Sequence, residues 1–206
     1  PPPPPPFLMN RRPPLTKLFP YTTLFRSEMI QKERCAAKSG RDSAGNMLVI
    51  YEGDFNIVDQ GHRDEDFRLQ EIARHGIDVQ VLTMTTPGAH IEEPARGVDM
   101  ARAVNEGFAE IVKKCRGHFE AMAALPLQCP EKAAAQLVHS VKNLGLKGGT
   151  LFTNVNGENL DAPEFEPVFA AAEDLDVPLF FHPTTPHPAD LFMDFRLAAT
   201  VGFTVD

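Results

Sequence analysis

Seven histidines lie among the 206 residues, and His182 stands where a side chain can do chemistry. It follows the apolar run Pro178-Leu179-Phe180-Phe181 and precedes Pro183. A proline cannot extend a strand's hydrogen bonding, so the run stops there and the imidazole is delivered to the strand's carboxyl end. In that position it is a hydrogen-bonded structural residue, a metal ligand or an acid–base group. Position alone leaves all three open. His75 lies at a helix end, where the helix dipole accounts for it. His118 and His139 read as solvent-facing, and His62, His90 and His187 fall on loops. Of these loop histidines, His90 and His187 share the strand-end side with His182.

Three other apolar runs also turn polar abruptly. Their ends read Thr83-Met84-Thr85-Thr86-Pro87-Gly88-Ala89-His90, Pro126-Leu127-Gln128 and Thr153-Asn154-Val155-Asn156-Gly157-Glu158-Asn159. In parallel α/β folds, functional side chains collect at the carboxyl ends of strands, so these ends suit one pocket rim. The sequence has no HExxH, no HxH, no GxSxG elbow and no GxGxxG or GxxxxGK[ST] phosphate loop. Cys35, Cys115 and Cys129 form no CxxC pair, which argues against a disulfide framework and for a reducing, cytoplasmic setting. A formal charge of −8 argues against a nucleic-acid partner. No apolar run approaches the roughly 18 residues that span a bilayer, so no membrane partner is expected.

The elements that would position these ends form a strand–helix repeat. Asp64-Glu65-Asp66 places acid in a first helical turn, Leu69, Ile72 and Ala73 give an apolar face, and Gly76 stops the helix. Pro94, Pro130 and Pro163 each open a helix at its first position. Their apolar stripes are Ala101, Val104, Phe108, Ile111 and Cys115; Ala134, Leu137, Val138, Val141 and Leu144; and Phe165, Val168, Phe169, Ala172 and Leu175. Gly117 and Gly145 end the first two. Strands are expected over 79–84, 121–127, 149–153 and 178–183. Apolar strands alternating with amphipathic helices predict a parallel sheet, either open and doubly wound or part of a (β/α)8 barrel. A barrel typically needs about 250 residues and eight strands, so these four strands predict a partial one. Residues 46–58 read as a β-hairpin outside the repeat, and 28–45 as loop or weak helix.

The first 27 residues are a different kind of sequence. They hold nine of the 19 prolines, four basic residues and no acid, which leaves the remainder at −12. Pro1–Pro6 favours polyproline II. Three readings compete: a proline-rich ligand, a disordered arm, and, for Leu18–Ser27, the translation of a sequencing adapter. The third is preferred, and the whole tract is expected to lack fixed structure.

From about Asp64 to Asp206 the chain resembles the amidohydrolase-related family, of the carboxymuconate-semialdehyde and resorcylate decarboxylase type. The resemblance is carried by Gly76-Ile77-Asp78-Val79-Gln80-Val81-Leu82, Leu125-Pro126-Leu127-Gln128, Thr153-Asn154-Val155-Asn156, Phe165-Glu166-Pro167-Val168-Phe169-Ala170-Ala171-Ala172-Glu173 and Val177-Pro178-Leu179-Phe180-Phe181-His182-Pro183. It implies an α/β fold: a (β/α)8 TIM barrel of which 64–206 supplies about strands two to five, with 28–63 the remnant of a β insertion and 1–27 artefactual. It also implies a divalent metal, zinc or manganese, with His182 as the strand-five ligand. Thr153, Asn154, Asn156 and His90 become substrate contacts. The family's HxH pair would fall where the adapter-like tract stands, and its remaining ligand and acid–base histidine beyond Asp206. The expectation is a fragment, inactive as written, of a cytoplasmic, homo-oligomeric, metal-dependent decarboxylase of a carboxylated aromatic or muconate-type acid. A metal-dependent hydrolase and a non-catalytic α/β binding domain are the alternatives. The family's carboxylate-binding arginine has no counterpart in Phe55–Gln60, which puts the particular substrate in question.

Overall fold

The computed structural model describes residues 16–20, 36–51, 54–62, 64–184 and 201. Within these, the chain alternates parallel strands with amphipathic helices. Strand β1 is Thr16–Pro20. A small sheet follows, made of β2 (Lys38–Arg41), β3 (Met47–Tyr51) and β4 (Asp54–Val58), all antiparallel in the order β2-β3-β4. Then come α1 (Glu65–Arg74), β5 (Val79–Thr83), α2 (Pro94–Lys114), β6 (Phe119–Ala121), β7 (Ala123–Ala124) and α3 (Pro130–Lys142). The described part continues with β8 (Gly149–Phe152), a short antiparallel pair β9 (Asn154–Val155) and β10 (Glu158–Asn159), α4 (Glu166–Leu175) and β11 (Leu179–His182).

The strands of the repeat pair side by side in chain order, β1-β5-β6 and β7-β8-β11, all parallel. The third strand is split at Met122. On one side Met122 N–H donates to the Leu82 carbonyl at 2.9 Å, and on the other Ala123 N–H donates to the Gly148 carbonyl at 2.7 Å. Two residues beyond Met122, the backbone of Ala124 meets the side chain of Asn105 instead of β5. Asn105 Oδ1 accepts from Ala124 N–H at 2.7 Å and its Nδ2 donates to the Ala124 carbonyl at 2.9 Å. An amide side chain from α2 thereby stands in for a strand partner where β5 has ended.

The helices begin where capping chemistry allows. Asp64 caps α1 by accepting from Phe67 N–H at 2.9 Å. That bond, with a second from the Gln60 side chain, holds its carboxyl below the usual range. Proline opens α2 and α3 at the first turn, where its missing N–H costs nothing. The apolar stripes of the helices pack against the strands, with Leu82, Met84, Met100, Phe108, Leu137, Leu151 and Val168 buried together. The small sheet has its own cluster of Ala37, Val49 and Val58. Its other face, with the cross-strand pairs Ile50–Phe55 and Leu48–Ile57, stays open: Phe55 and Ile57 are 53% and 48% exposed.

Several expectations change. Residues 38–41 form a strand rather than loop or weak helix, although Lys-Ser-Gly-Arg offers no apolar pattern. The edge of β3 supplies the pairing, and the intervening turn is tied by Asp42, whose side chain accepts from Ala44 and Asn46 N–H. Ala73 is exposed, so the buried face of α1 rests on Ile72 and the half-buried Leu69. The first turn after Pro163 is a 3-10 turn over Pro163–Phe165, with α-helix from Glu166. Helix α3 ends at Lys142, before Gly145, so Leu144 packs from the loop. Thr16–Pro20, in the tract expected to lack fixed structure, pairs in parallel with β5 from Thr16↔Val79 to Pro20↔Thr83. The open edge of β5 accounts for a strand there. The rest of that tract, residues 28–35 with Cys35, and His187 lie outside the described residues.

Candidate metal and substrate site

The sequence-derived site residues converge at the carboxyl ends of β5, β8 and β11. His182 is the last residue of β11 and pairs in register with Phe152, the last of β8. Its ring is held from two sides. Nδ1 lies 2.6 Å from the carbonyl oxygen of Pro183, and Nε2 lies 3.2 Å from Thr85 Oγ1, just past β5. A carbonyl oxygen only accepts, so in neutral His182 the proton sits on Nδ1 and Nε2 keeps its lone pair. Thr85 therefore donates to Nε2. A ring nitrogen fixed as an acceptor by a backbone carbonyl on its far side is in the state that binds a divalent metal.

The flat side of the site is a run of three rings. His90 and Phe152 stand with centroids 4.8 Å apart, and Phe152 and His182 with centroids 5.8 Å apart, both tilted. Phe152 is 2% and His90 4% exposed, so His90 bears on His182 through Phe152. The loop that carries His90 is fastened by amide side chains. Gln128 Nε2 donates to the carbonyls of Ala89 at 2.9 Å and Glu92 at 3.1 Å, and Asn156 Nδ2 donates to that of His90 at 3.1 Å. Gly88 sits at φ 72°, and a Cβ there would lie 2.5 Å from Phe152 and 2.6 Å from His90. The small sheet holds the same loop from outside: Tyr51 Oη lies 3.2 Å from Thr86 Oγ1, and Asn56 Nδ2 donates to the Thr86 carbonyl at 2.9 Å. The Glu92 carboxylate, whose side chain is 0% exposed, accepts from Ala36 N–H at 2.9 Å with both oxygens.

The expected substrate contacts divide on inspection. Thr153 is half-buried, and its hydroxyl accepts from Thr184 N–H at 3.2 Å. Asn154 is buried, with Oδ1 accepting from Gly157 N–H at 3.1 Å in the tight β9–β10 turn. Asn156 is exposed at φ 54°, and its amide holds the His90 loop. The residues sequence reasoning missed are Thr85 and Phe152. Thr85 lies in a strand-end run but is one of several threonines there, and Phe152 is one of 15 phenylalanines, so neither stands out in one dimension. Among the described residues, no three His, Cys, Asp or Glu side chains come together as a metal cluster. Nor is any described helix long and apolar enough to cross a membrane.

Comparison with known proteins bears on the family of the chain. A family model described as Amidohydrolase matches residues 48–201. The chain is 32% identical over 153 residues to 2-amino-3-carboxymuconate-6-semialdehyde decarboxylase of Dictyostelium discoideum, covering 74% of this chain and 43% of that protein. It is 34% identical over 137 residues to gamma-resorcylate decarboxylase of Rhizobium sp. (strain MTP-10005), covering 61% of this chain and 41% of that protein. The crystal structure of dihydroxybenzoic acid decarboxylase from Polaromonas sp. JS666, with bound manganese and the inhibitor 2-nitroresorcinol, superposes with a TM-score of 0.60 at 26% identity, over 85% of this chain and 51% of that one. The chain spans about two fifths of the length of these curated relatives, 43% and 41%.

Proposed function

The chain belongs to the amidohydrolase family, and from that premise we propose that it is part of a metal-dependent decarboxylase of carboxylated aromatic or muconate-type acids. The observation that carries this reading is the state of His182: a ring nitrogen with its lone pair outward, its tautomer set by the Pro183 carbonyl, at the carboxyl end of a parallel strand. The names of the relatives supply the reaction class. The ion is divalent; the manganese bound in the Polaromonas neighbour favours Mn2+ over the Zn2+ of the first expectation. The parallel strands in chain order, β1, β5, β6–β7, β8 and β11, fit the first five strands of a (β/α)8 barrel, with β2–β4 as the insertion between the first two.

In this reading His182 holds the ion together with ligands outside the described residues. Bound there, a divalent metal polarises a substrate oxygen and stabilises charge as CO2 leaves. The rest falls to the chain's own side chains. Thr153 offers its hydroxyl as a substrate contact, Asn154 keeps the β9–β10 turn in place, and the buried ring of Phe152 backs the His182 imidazole. His90 packs behind that ring, and Asn156 holds the loop that carries His90. None of these side chains is positively charged. The protein works in the cytoplasm and self-associates in this proposal, the open apolar face of β3 and β4 supporting association.

The test is carbon dioxide release from 2,6-dihydroxybenzoate and from a carboxymuconate semialdehyde. The enzyme is a full-length protein carrying this chain, loaded with Mn2+ or Zn2+. Metal-dependent CO2 release supports the proposal. Hydrolysis of amide or ester substrates without decarboxylation would replace it with the hydrolase reading.

A further inference from the structure

The two hydrogen bonds at His182 differ in what a metal would do to them. The bond from Nδ1 to the Pro183 carbonyl survives metal binding, because it uses the other nitrogen. The bond from Thr85 does not, because its hydroxyl lies 3.2 Å from the one ring atom able to ligate. We propose that Thr85 is a placeholder for the metal: its hydroxyl occupies the Nε2 lone pair in the metal-free protein, keeps the ring aimed, and yields the lone pair when a divalent ion arrives. This rests on the metal reading of His182.

The scaffold is built to hold Thr85 there. It opens the loop after β5, and each following turn of that loop is fastened to a different element. Thr86 is tied to Tyr51 of β3 and Asn56 of β4. Gly88 lies against Phe152 with no room for a Cβ. Ala89 and Glu92 are tied to Gln128, and His90 to Asn156. The Thr85–His182 contact bridges 97 residues of sequence, so it reports the placement of that loop rather than a local turn.

A hydroxyl suits the task for three reasons. It is neutral, so it neither repels an approaching cation nor binds it as a carboxylate would. It donates to a lone pair and so stabilises the tautomer that ligates. Once released it turns about its own C–O bond and can donate or accept elsewhere, so it is not left stranded. Its cost to the holoprotein is one hydrogen bond broken on metal entry, which lowers metal affinity by about fivefold relative to a bare imidazole.

The experiment uses a full-length protein carrying this chain, prepared metal-free with 15N-labelled histidine, its ring nitrogens read by NMR at a pH where imidazole is neutral, with His182→Ala to identify the signals. His182 is expected as the Nδ1–H tautomer with Nε2 shifted by an accepted hydrogen bond. Thr85→Val, which keeps the shape, should move Nε2 to the position of a bare lone pair and leave Nδ1 in place; Thr85→Ser should restore it. Titration with Zn2+ alone, followed on the same signals, should then show Thr85→Val binding about fivefold tighter than the parent and Thr85→Ser binding like it. An Nε2 signal indifferent to Thr85→Val, or equal or weaker zinc affinity in that variant, overturns the placeholder. If zinc leaves the His182 signals untouched in every chain, the metal assignment itself falls and takes the placeholder with it.

Discussion

Asn105 offers the sharpest test of how the strand ends are positioned. It is 0% exposed, and both ends of its amide bind the backbone of Ala124. Replacing it with leucine keeps the branched shape but strands the N–H and the carbonyl of Ala124 in an apolar core that includes Leu82, Val104 and Phe108. Each buried polar group left without a partner costs about 1–3 kcal/mol, so the pair should cost about 4 kcal/mol. For a chain of this size that lowers the melting temperature by about 8–16 °C. Asn105→Asp separates the two bonds. It keeps an acceptor for Ala124 N–H but turns a second oxygen toward the Ala124 carbonyl, so it should be no better than leucine at neutral pH. Urea unfolding followed by circular dichroism measures both. A loss below about 1 kcal/mol for Asn105→Leu would mean that Ala124 finds other partners, and the account of the split third strand would be wrong.

Three further outcomes follow from the same geometry. Gly97→Ala falls in the first turn of α2, where a Cβ would lie 1.9 Å from Gln128 Nε2 and 2.8 Å from the Ala89 carbonyl, so a net loss of about 1–3 kcal/mol is expected on urea unfolding, and a gain refutes the close approach. Asp64→Ala removes the cap of α1. The carboxyl of Asp64 is held below its ordinary value, first by Phe67 N–H and then by the Gln60 side chain. Its contribution is therefore present above the unfolded value near pH 4 and fades as pH falls through the lower folded value. The melting-temperature gap between parent and variant should close in acid, and a gap that widens there contradicts the cap. Burial pushes the Cys115 thiol up, so disulfide-exchange reagents should label Cys115 more slowly than the half-buried Cys129 in the folded chain and equally fast in urea; equal rates in the folded chain would refute that burial.

Legibility in the sequence followed the physics of each element. Helices α2 and α3 announce themselves through Pro94 and Pro130 and through apolar spacing at three and four residues. His182 was legible because a fully apolar strand and a proline stop leave one direction for the residue between them. Strand β2 was not, because Lys-Ser-Gly-Arg is recruited by the edge of β3 rather than by its own composition. The break at Met122 was invisible for a like reason, since its cause is an asparagine on another helix. In the site, the positions of Thr153, Asn154, Asn156 and His90 were legible as strand-end residues, but their division of labour was not. Asn156 and His90 meet across 66 residues, and Thr85 and His182 across 97. Such pairings are set by tertiary structure and leave no periodicity along the chain.

The central claim is that His182 is a metal ligand, and metal content tests it most directly. A full-length protein carrying this chain and its His182→Ala variant would be purified in parallel with Mn2+ or Zn2+, and bound metal measured by mass spectrometry. Circular dichroism would check that the helices persist. The account predicts a metal content lower by about tenfold or more in the variant with the helical signal unchanged, because losing a ligand outright costs at least as much as losing one of its outer partners. A variant that keeps its metal and its fold would show that His182 is a hydrogen-bonded structural residue, and the site described above would then have to be built around other ligands.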